Sequence, residues 1–145
     1  MSDLQALYQE VIIDHSRNPR NFCECATANH QANGYNPLCG DKLKLFLNIK
    51  DAIIENVCFK GEGCAISTAS ASLMTEALKG KTIKEAEKLF EGFHHMLTED
   101  DNVEDLGKLK ILAGVRTFPM RVKCATLAWH TMKAALRNKR SATTE

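Results

Sequence analysis

The chain lacks the features that mark membrane proteins and nucleic-acid-binding proteins. No apolar run approaches the roughly 20 residues that a helix needs to cross a bilayer. The 19 basic and 18 acidic residues leave a formal charge of +1, a balance that gives no positive surplus for neutralising phosphates. We therefore expect neither a membrane nor a nucleic acid among its partners.

Signal-peptide features and common catalytic signatures are absent as well. Met1, Ser2 and Asp3 lead straight into amphipathic sequence, so we expect a cytoplasmic protein. There is no Walker loop, dinucleotide fingerprint or Ser-His-Asp set, and the five histidines show no ligand spacing among themselves. The residues left for chemistry are six cysteines, which in reducing surroundings favour metal binding or thiol chemistry over three disulfides.

The length and the patterning predict one α+β domain over residues 1–145. Leucines alternate with other residues from Leu43 onward, which predicts a β-hairpin that ends at Lys60. Helical periodicity and capping signals predict helices over 2–16 (with Ser2 and Gln5 as a capping box), over 65–78, from a Thr82–Glu85 capping box through Phe93, within 103–113 and over 120–137. A short strand is predicted at 26–31, an acidic loop at 99–101 and a fraying helix end at 137–140.

The first chemical motif is Cys39-Gly40-Asp41, just before the first strand of the hairpin. A thiol and a carboxyl group flank a glycine, which tolerates the backbone angles that turn both side chains toward one point. Alone, this motif is a weak signal and is more typical of a turn that happens to contain a cysteine.

The second motif places Cys64 after the glycine-rich turn Gly61-Glu62-Gly63 and at the start of a predicted helix. Unpaired backbone N–H groups and the helix dipole favour a thiolate at that position. Small residues follow at 67–72, and they allow this helix to approach another element closely. The alternative is a buried cysteine on a tightly packed helix.

The third motif is Arg121-Val122-Lys123-Cys124, near the start of the last helix. Arg121 and Cys124 are three residues apart and so lie on one side of a helix. A cation there would lower the pKa of the thiol or steady an anionic sulfur species. A core cysteine beside a solvated arginine is the alternative.

Together the three motifs supply three cysteines and one aspartate, a sensible tetrahedral set for zinc or another soft metal. Each motif lies at a junction between a loop and a regular element, where ligands are often presented. The spacings are far too wide for a zinc finger, so the fold must assemble this site. Of the remaining cysteines, Cys58 falls within a strand and is predicted to be a core residue. Cys23 and Cys25 fit a surface loop better than a redox or metal pair.

The three motifs resemble those of the U-type iron–sulfur cluster assembly proteins (the IscU/NifU N-terminal-like family), and within them the SufU branch. The resemblance runs from the first helix, through residues 15–21, to the last helix. It implies an α/β sandwich of the SufE/IscU type, in which a small three-stranded antiparallel sheet packs against several helices.

The resemblance also implies a site and partners. The metal ligands would be Cys39, Asp41, Cys64 and Cys124, the metal zinc, and the sulfur donor a SufS-type cysteine desulfurase. Cys39 would accept persulfide sulfur once a desulfurase histidine replaces it on the metal, and Arg121 would assist. Downstream assembly proteins or acceptor apo-proteins would receive the sulfur.

Three features depart from the scaffold branch of this family. Lys123 stands where the scaffolds carry a histidine, and Pro119 is a single proline where they carry a double-proline chaperone motif. The segment between Cys64 and Cys124 is also longer than in the scaffolds. These departures favour a zinc-dependent sulfurtransferase over a scaffold.

Two alternatives to sulfur transfer stay open, and with them the question of whether the protein is an enzyme. One is a scaffold on which iron and a transient [2Fe–2S] cluster are held by the same residues. The other is an interaction module in which zinc serves only to stabilise the fold.

Overall fold

The computed structural model describes residues 3–99 and 106–143. Along these residues the regular elements are α1 (Asp3–Arg17), β1 (His30–Asn36), β2 (Asp41–Lys50), β3 (Ile53–Glu62), α2 (Ala65–Leu78), α3 (Ile83–Thr98), a 3₁₀ helix (Gly107–Val115), α4 (Pro119–Leu136) and β4 (Ser141–Thr143). The predicted Ser2–Gln5 capping box, residues 100–101 of the acidic loop and the first three residues of the helix predicted at 103–113 lie outside the described residues.

The four strands form one sheet in the order β3-β2-β1-β4. The first three are antiparallel neighbours, as predicted. Asp51 and Ala52 connect β2 to β3 with φ angles of 53° and 62°, the left-handed pair that a two-residue hairpin turn requires.

The fourth strand was not predicted. After α4 the chain reverses at Asn138, whose φ is 57°, and β4 then pairs in parallel with residues 33–35 of β1. The expectation of a fraying helix end at 137–140 was therefore wrong at its C-terminal half, where the Arg140 carbonyl accepts a hydrogen bond from the Asn33 N–H at 2.8 Å. A strand of three residues carries no recognisable period.

The predicted strand at 26–31 was displaced, since β1 spans His30–Asn36. The inward-facing residues of β1 are Ala32, Gly34 and Asn36, and its outward-facing residues include the half-exposed Tyr35. A strand with small or polar residues on its buried face shows no hydrophobic alternation, so the usual sequence signal is absent.

The helices pack on one face of the sheet, as predicted. Leucines 43, 45 and 47 of β2 point into this core, where Trp129 of α4 is fully buried. The small residues of α2 allow close contact with α4, because the Ser70 hydroxyl donates to the Ala125 carbonyl at 2.6 Å and accepts from Trp129 Nε1 at 3.2 Å. The Thr82–Glu85 capping box at the start of α3 is also confirmed. None of the described helices is long and apolar enough to span a membrane.

Residues 18–29 form an irregular segment between α1 and β1 that we call the crossing segment. It runs beside the edge strand β3, where Asn21 O accepts from the Phe59 N–H at 3.0 Å. It ends beside β2, where the Asn29 side chain bonds both backbone groups of Ile49. The segment thus passes over the sheet face that the helices leave uncovered.

Gly34 sets how closely β1 approaches α4, the helix that carries Cys124. A Cβ atom at this position would lie 2.1 Å from Thr131 Oγ1 and 3.2 Å from Leu127 Cδ1. A side chain there would therefore push β1 and α4 apart.

We predict that Gly34→Ala lowers the free energy of unfolding by about 1–3 kcal/mol, because overpacking of a tight contact costs that much. Chemical denaturation would measure the change. Asn33→Ala, at the exposed neighbouring position, is the control and should stay within about 0.5 kcal/mol of the unsubstituted protein. An unchanged midpoint for Gly34→Ala would contradict the described packing of α4 on β1.

His15 anchors the start of the crossing segment. Its side chain is 3% exposed, with Nδ1 2.7 Å from Ser72 Oγ and Nε2 3.7 Å from Glu76 Oε1. The same Ser72 hydroxyl accepts from the Arg20 N–H at 2.8 Å. Burial lowers the pKa of His15, and the nearby Arg20 adds to this effect.

Because the native state holds His15 neutral, it binds fewer protons than the unfolded chain once the pH falls below the ordinary value of 6.5. We therefore predict that Tm falls between pH 7.5 and 5.5 and that His15→Gln reduces this fall, as measured by thermal scans. The control is His95→Gln, an exposed histidine on α3. An identical pH dependence in His15→Gln and the unsubstituted protein would rule out His15 as a source of it.

Candidate metal centre

The three sequence motifs meet at one end of the sheet. The turn between β1 and β2 carries Cys39, the first residue of β2 is Asp41, Cys64 precedes α2, and Cys124 lies in the second turn of α4. Residues up to 85 positions apart along the chain are thereby brought into contact.

Asp41 is the buried carboxylate of the site. It is 0% exposed, and its Oδ1 accepts a hydrogen bond from the Cys64 N–H at 2.9 Å. Its Oδ2 lies 4.0 Å from Cys64 Sγ and 3.4 Å from Asn36 Nδ2. The carboxylate therefore links the start of β2 to the start of α2.

Cys64 is the N-cap residue of α2. Its backbone is extended, with φ −69° and ψ 166°, and its sulfur accepts from the Ser67 N–H at 3.4 Å. The predicted position at a helix N-terminus is confirmed, but the residue is exposed rather than buried.

Cys124 is the buried thiol of the site, at 3% exposure. Its Sγ lies 3.3 Å from Cys39 Sγ and 3.6 Å from Asn36 Nδ2. Burial raises the pKa of the Cys124 thiol, and its neighbours Cys39 and Cys64 raise it further. The protonated form is therefore favoured in the absence of a cation.

Cys39 is exposed at the tip of the β1–β2 turn. The next residue, Gly40, has φ +71°, the left-handed conformation that glycine adopts without strain. The expectation that this glycine lets both side chains turn toward one point is thus confirmed, since Cys39 and Asp41 both face Cys124.

Three of the four predicted ligands are gathered tightly. Among the described residues, the ligand atoms of Cys39, Asp41 and Cys124 all lie within 4.8 Å of one another. Cys64 stands at the rim of this group, within reach of the Asp41 carboxylate.

Arg121 has a different environment from the one expected. Its guanidinium carbon lies 4.5 Å from the centre of the Phe118 ring, in a cation–π contact. Burial raises the pKa of Tyr8 in α1, and the charge of Arg121 offsets part of that rise. No hydrogen bond joins it to a site thiol within the parts of the chain that the structure covers. A role for Arg121 in sulfur chemistry stays a prediction.

Asn36 was missed by the sequence reasoning. It is fully buried, and its side-chain amide lies within hydrogen-bonding distance of both Asp41 and Cys124, while its Oδ1 accepts from the Leu38 N–H at 3.3 Å. Asn36 lies three positions before Cys39 and directly before Pro37, but nothing in this local sequence shows that its side chain turns inward.

The donor set fits a soft divalent cation. Thiolate and carboxylate ligands suit zinc and related metals. If the buried Asp41 and Cys124 were both ionised without a cation, two negative charges would lie close together in a poorly solvated site. The arrangement therefore favours a bound positive ion.

Comparison with known proteins identifies the family of this chain. Residues 7–143 match the family described as the NifU-like N-terminal domain. The chain belongs to this family. The resemblance proposed from the sequence motifs is thereby confirmed.

Two relatives are equally similar to this chain but carry different names. The zinc-dependent sulfurtransferase SufU of Bacillus subtilis is 42% identical over 134 residues, which cover 91% of this chain and 90% of the relative. The iron–sulfur cluster assembly scaffold protein IscU of Streptococcus pyogenes serotype M1 is 42% identical over 145 residues, which cover 98% of this chain and 89% of the relative.

A solved structure supports the fold. The N-terminal NifU-like protein of Brucella abortus superposes with a TM-score of 0.85 at 21% identity, covering 94% of this chain and 96% of that one. The α+β fold predicted from the sequence is thus shared with this family, with the short β4 added to the three predicted strands.

Gly63 provides a test of the Asp41–Cys64 link. A Cβ atom on Gly63 would lie 2.8 Å from Asp41 Oδ1, so Gly63→Ala should displace the carboxylate. We predict a loss of metal affinity of about 10-fold or more, as for other groups that orient a ligand. Competition with a chromogenic zinc chelator would measure the change.

The matched control is Glu62→Ala, at the exposed neighbouring position, which should bind zinc as the unsubstituted protein does. An unchanged zinc affinity in Gly63→Ala would show that zinc binding does not depend on the position of the Asp41 carboxylate.

Proposed function

We propose that this protein is a zinc-dependent sulfurtransferase of iron–sulfur cluster assembly, which accepts persulfide sulfur from a SufS-type cysteine desulfurase in the cytoplasm. The observation that carries the proposal is the unequal exposure of two thiols in contact. Cys39 lies at the surface and Cys124 is buried, although their sulfur atoms are only 3.3 Å apart.

The residues that would hold the metal are Cys39, Asp41, Cys64 and Cys124. When bound, zinc keeps thiolates deprotonated and contributes no redox chemistry of its own. Asp41 and Cys124 are buried and held by neighbouring side chains, so they form the fixed half of the ligand set. Cys39, at the tip of a turn, is the ligand that a partner can reach.

The transfer step exchanges one S–S bond for another. The Cys39 thiolate attacks the terminal sulfur of the persulfide on the desulfurase. The S–S bond of that persulfide breaks, and the desulfurase cysteine leaves as a thiolate. Cys39 then carries the persulfide, and no electrons are gained or lost overall.

The surface around Cys39 suits a protein partner. Leu38, Phe118 and Met120 are exposed large apolar residues beside the site, at 54%, 48% and 54%. Exposed apolar side chains that cluster at a functional site often mark a protein contact. This supports a desulfurase that docks over the turn and places its persulfide next to Cys39.

A scaffold function is the second candidate. The relative from Streptococcus pyogenes that carries the scaffold name is as similar to this chain as the sulfurtransferase is. In that case iron and sulfide would be the cargo, and the same three thiols and Asp41 would hold a transient [2Fe–2S] cluster.

The experiment is a sulfur-transfer assay with a SufS-type desulfurase and free cysteine. Zinc content would be measured on protein purified without added metal. We predict about one zinc per chain and a mass increase of one sulfur atom on Cys39. Cys39→Ala should reduce desulfurase stimulation to background while the circular dichroism spectrum stays unchanged.

Cys23→Ala is the matched control, because Cys23 is also exposed but lies outside the site; it should accept sulfur normally. Full desulfurase stimulation by Cys39→Ala would refute the relay. Iron and sulfide in the purified protein, together with the visible absorption of an iron–sulfur cluster that Asp41→Ala stabilises, would support the scaffold function. Zinc needed only for folding, with no response to the desulfurase, would support the structural role.

A further inference from the structure

A second group of thiols lies on the other face of the sheet. Cys58 of β3 is buried, and Cys23 of the crossing segment is exposed. Their sulfur atoms are 3.2 Å apart, although the residues are 35 positions apart in sequence. The sequence alone suggested a core residue and a surface-loop residue with no connection between them.

This pair is separate from the metal centre. Cys58 stands opposite Phe46 in the β2–β3 register, and Phe46 is five residues from Asp41 along β2. Five residues of a strand span about 17 Å, and an odd separation places the two side chains on opposite faces of the sheet. Asp41 faces the helices, whereas Cys58 faces the crossing segment.

A third thiol lies beside the pair. Cys25 Sγ is 3.4 Å from Thr27 Oγ1 and 3.7 Å from Asn56 Nδ2. Hydrogen bonds from the Thr27 side chain, followed in importance by its backbone and Asn56, lower the pKa of Cys25. Burial and the contact with Cys23 raise the pKa of Cys58 to about 12.

We propose that Cys23 and Cys58 are a redox pair that closes a disulfide when the protein meets a peroxide. The exposed thiol is the one that the oxidant can reach, and the buried thiol is held where it can react next. The resulting bond would fasten the crossing segment to β3.

The reaction is balanced with one peroxide molecule. The Cys23 thiolate attacks one peroxide oxygen, the O–O bond breaks, and the leaving hydroxide takes up the proton released by the Cys23 thiol to form water. The Cys58 sulfur then attacks the Cys23 sulfenic acid, the S–O bond breaks, and the leaving hydroxide takes the Cys58 proton as a second water. Two thiols are oxidised by two electrons and one peroxide is reduced.

The geometry favours a redox pair over a second metal site. In the described part of the chain, the side chains gathered closely enough to share an ion are Cys39, Asp41 and Cys124. Within the second group, the sulfur atoms of Cys23 and Cys58 are in direct contact at 3.2 Å. Cys25 is hydrogen-bonded chiefly by Thr27 and Asn56, and its interaction with Cys58 is weaker than that of Cys23.

The disulfide would stabilise the fold. It would close a loop from residue 23 to residue 58, which includes β1, the turn that carries Cys39, and β2. A cross-link over such a loop restricts the unfolded chain. The expected rise in Tm is on the order of 5–10 °C.

The experiment treats the zinc-loaded full chain with hydrogen peroxide, blocks the remaining thiols by alkylation and maps the disulfides by mass spectrometry. Trypsin alone leaves Cys23, Cys25 and Cys39 on one peptide, but a glutamate-specific protease also cleaves after Glu24 and Glu55. The expected product joins residues 21–24 to residues 56–60. A thiol reductant should abolish both this product and the rise in Tm.

Cys25→Ser is the matched control, because it removes the neighbouring thiol and leaves the contacting pair; the 23–58 product and the rise in Tm should persist. Cys23→Ser and Cys58→Ala should lack both. Cys23→Ser alters an exposed position, so it keeps the test valid if Cys58→Ala does not fold. A disulfide only between Cys23 and Cys25, a disulfide only between metal-centre thiols, or thiols that all stay free would each overturn the proposal.

Discussion

The hydrogen bond from the Cys64 N–H to the buried carboxylate of Asp41 is the interaction on which the site depends. It joins the first residue of β2 to the N-terminus of α2 at 2.9 Å, so the sheet and the helix layer meet at the candidate metal centre. Gly63 leaves just enough room for that carboxylate. Because Asp41 also approaches Asn36, which in turn approaches Cys124, the same group orders three segments of the chain.

Around this carboxylate the site is divided between an inner half and an outer half. Asp41 and Cys124 are buried, whereas Cys39 and Cys64 are exposed. A purely structural zinc site is usually closed, and all its ligands are held by the fold. A site with two candidate ligands at the surface would be able to exchange one of them, as the proposed sulfur transfer or the release of a cluster requires.

The sheet separates the six cysteines into two groups with different surroundings. The residues of the candidate metal centre lie at one end of the sheet, on the face that the helices cover. Cys58 lies on the opposite face, against the crossing segment. Cys58 and Cys64 are close in sequence yet belong to different groups. Cys39 and Cys124 are 85 positions apart yet touch. Distance along the chain is therefore a poor guide to which thiols can react together.

The sequence by itself determined the helices, the β2–β3 hairpin and the four candidate ligands, because hydrophobic period, capping residues and residue type act locally. The family motifs added the expectation of three strands, and those three are present. Only the tertiary structure decided the limits of β1, the short parallel β4, the inward turn of Asn36 and the contact between Cys23 and Cys58. Each of these depends on a partner distant in sequence, and its own residues are too few, too small or too polar to show a period.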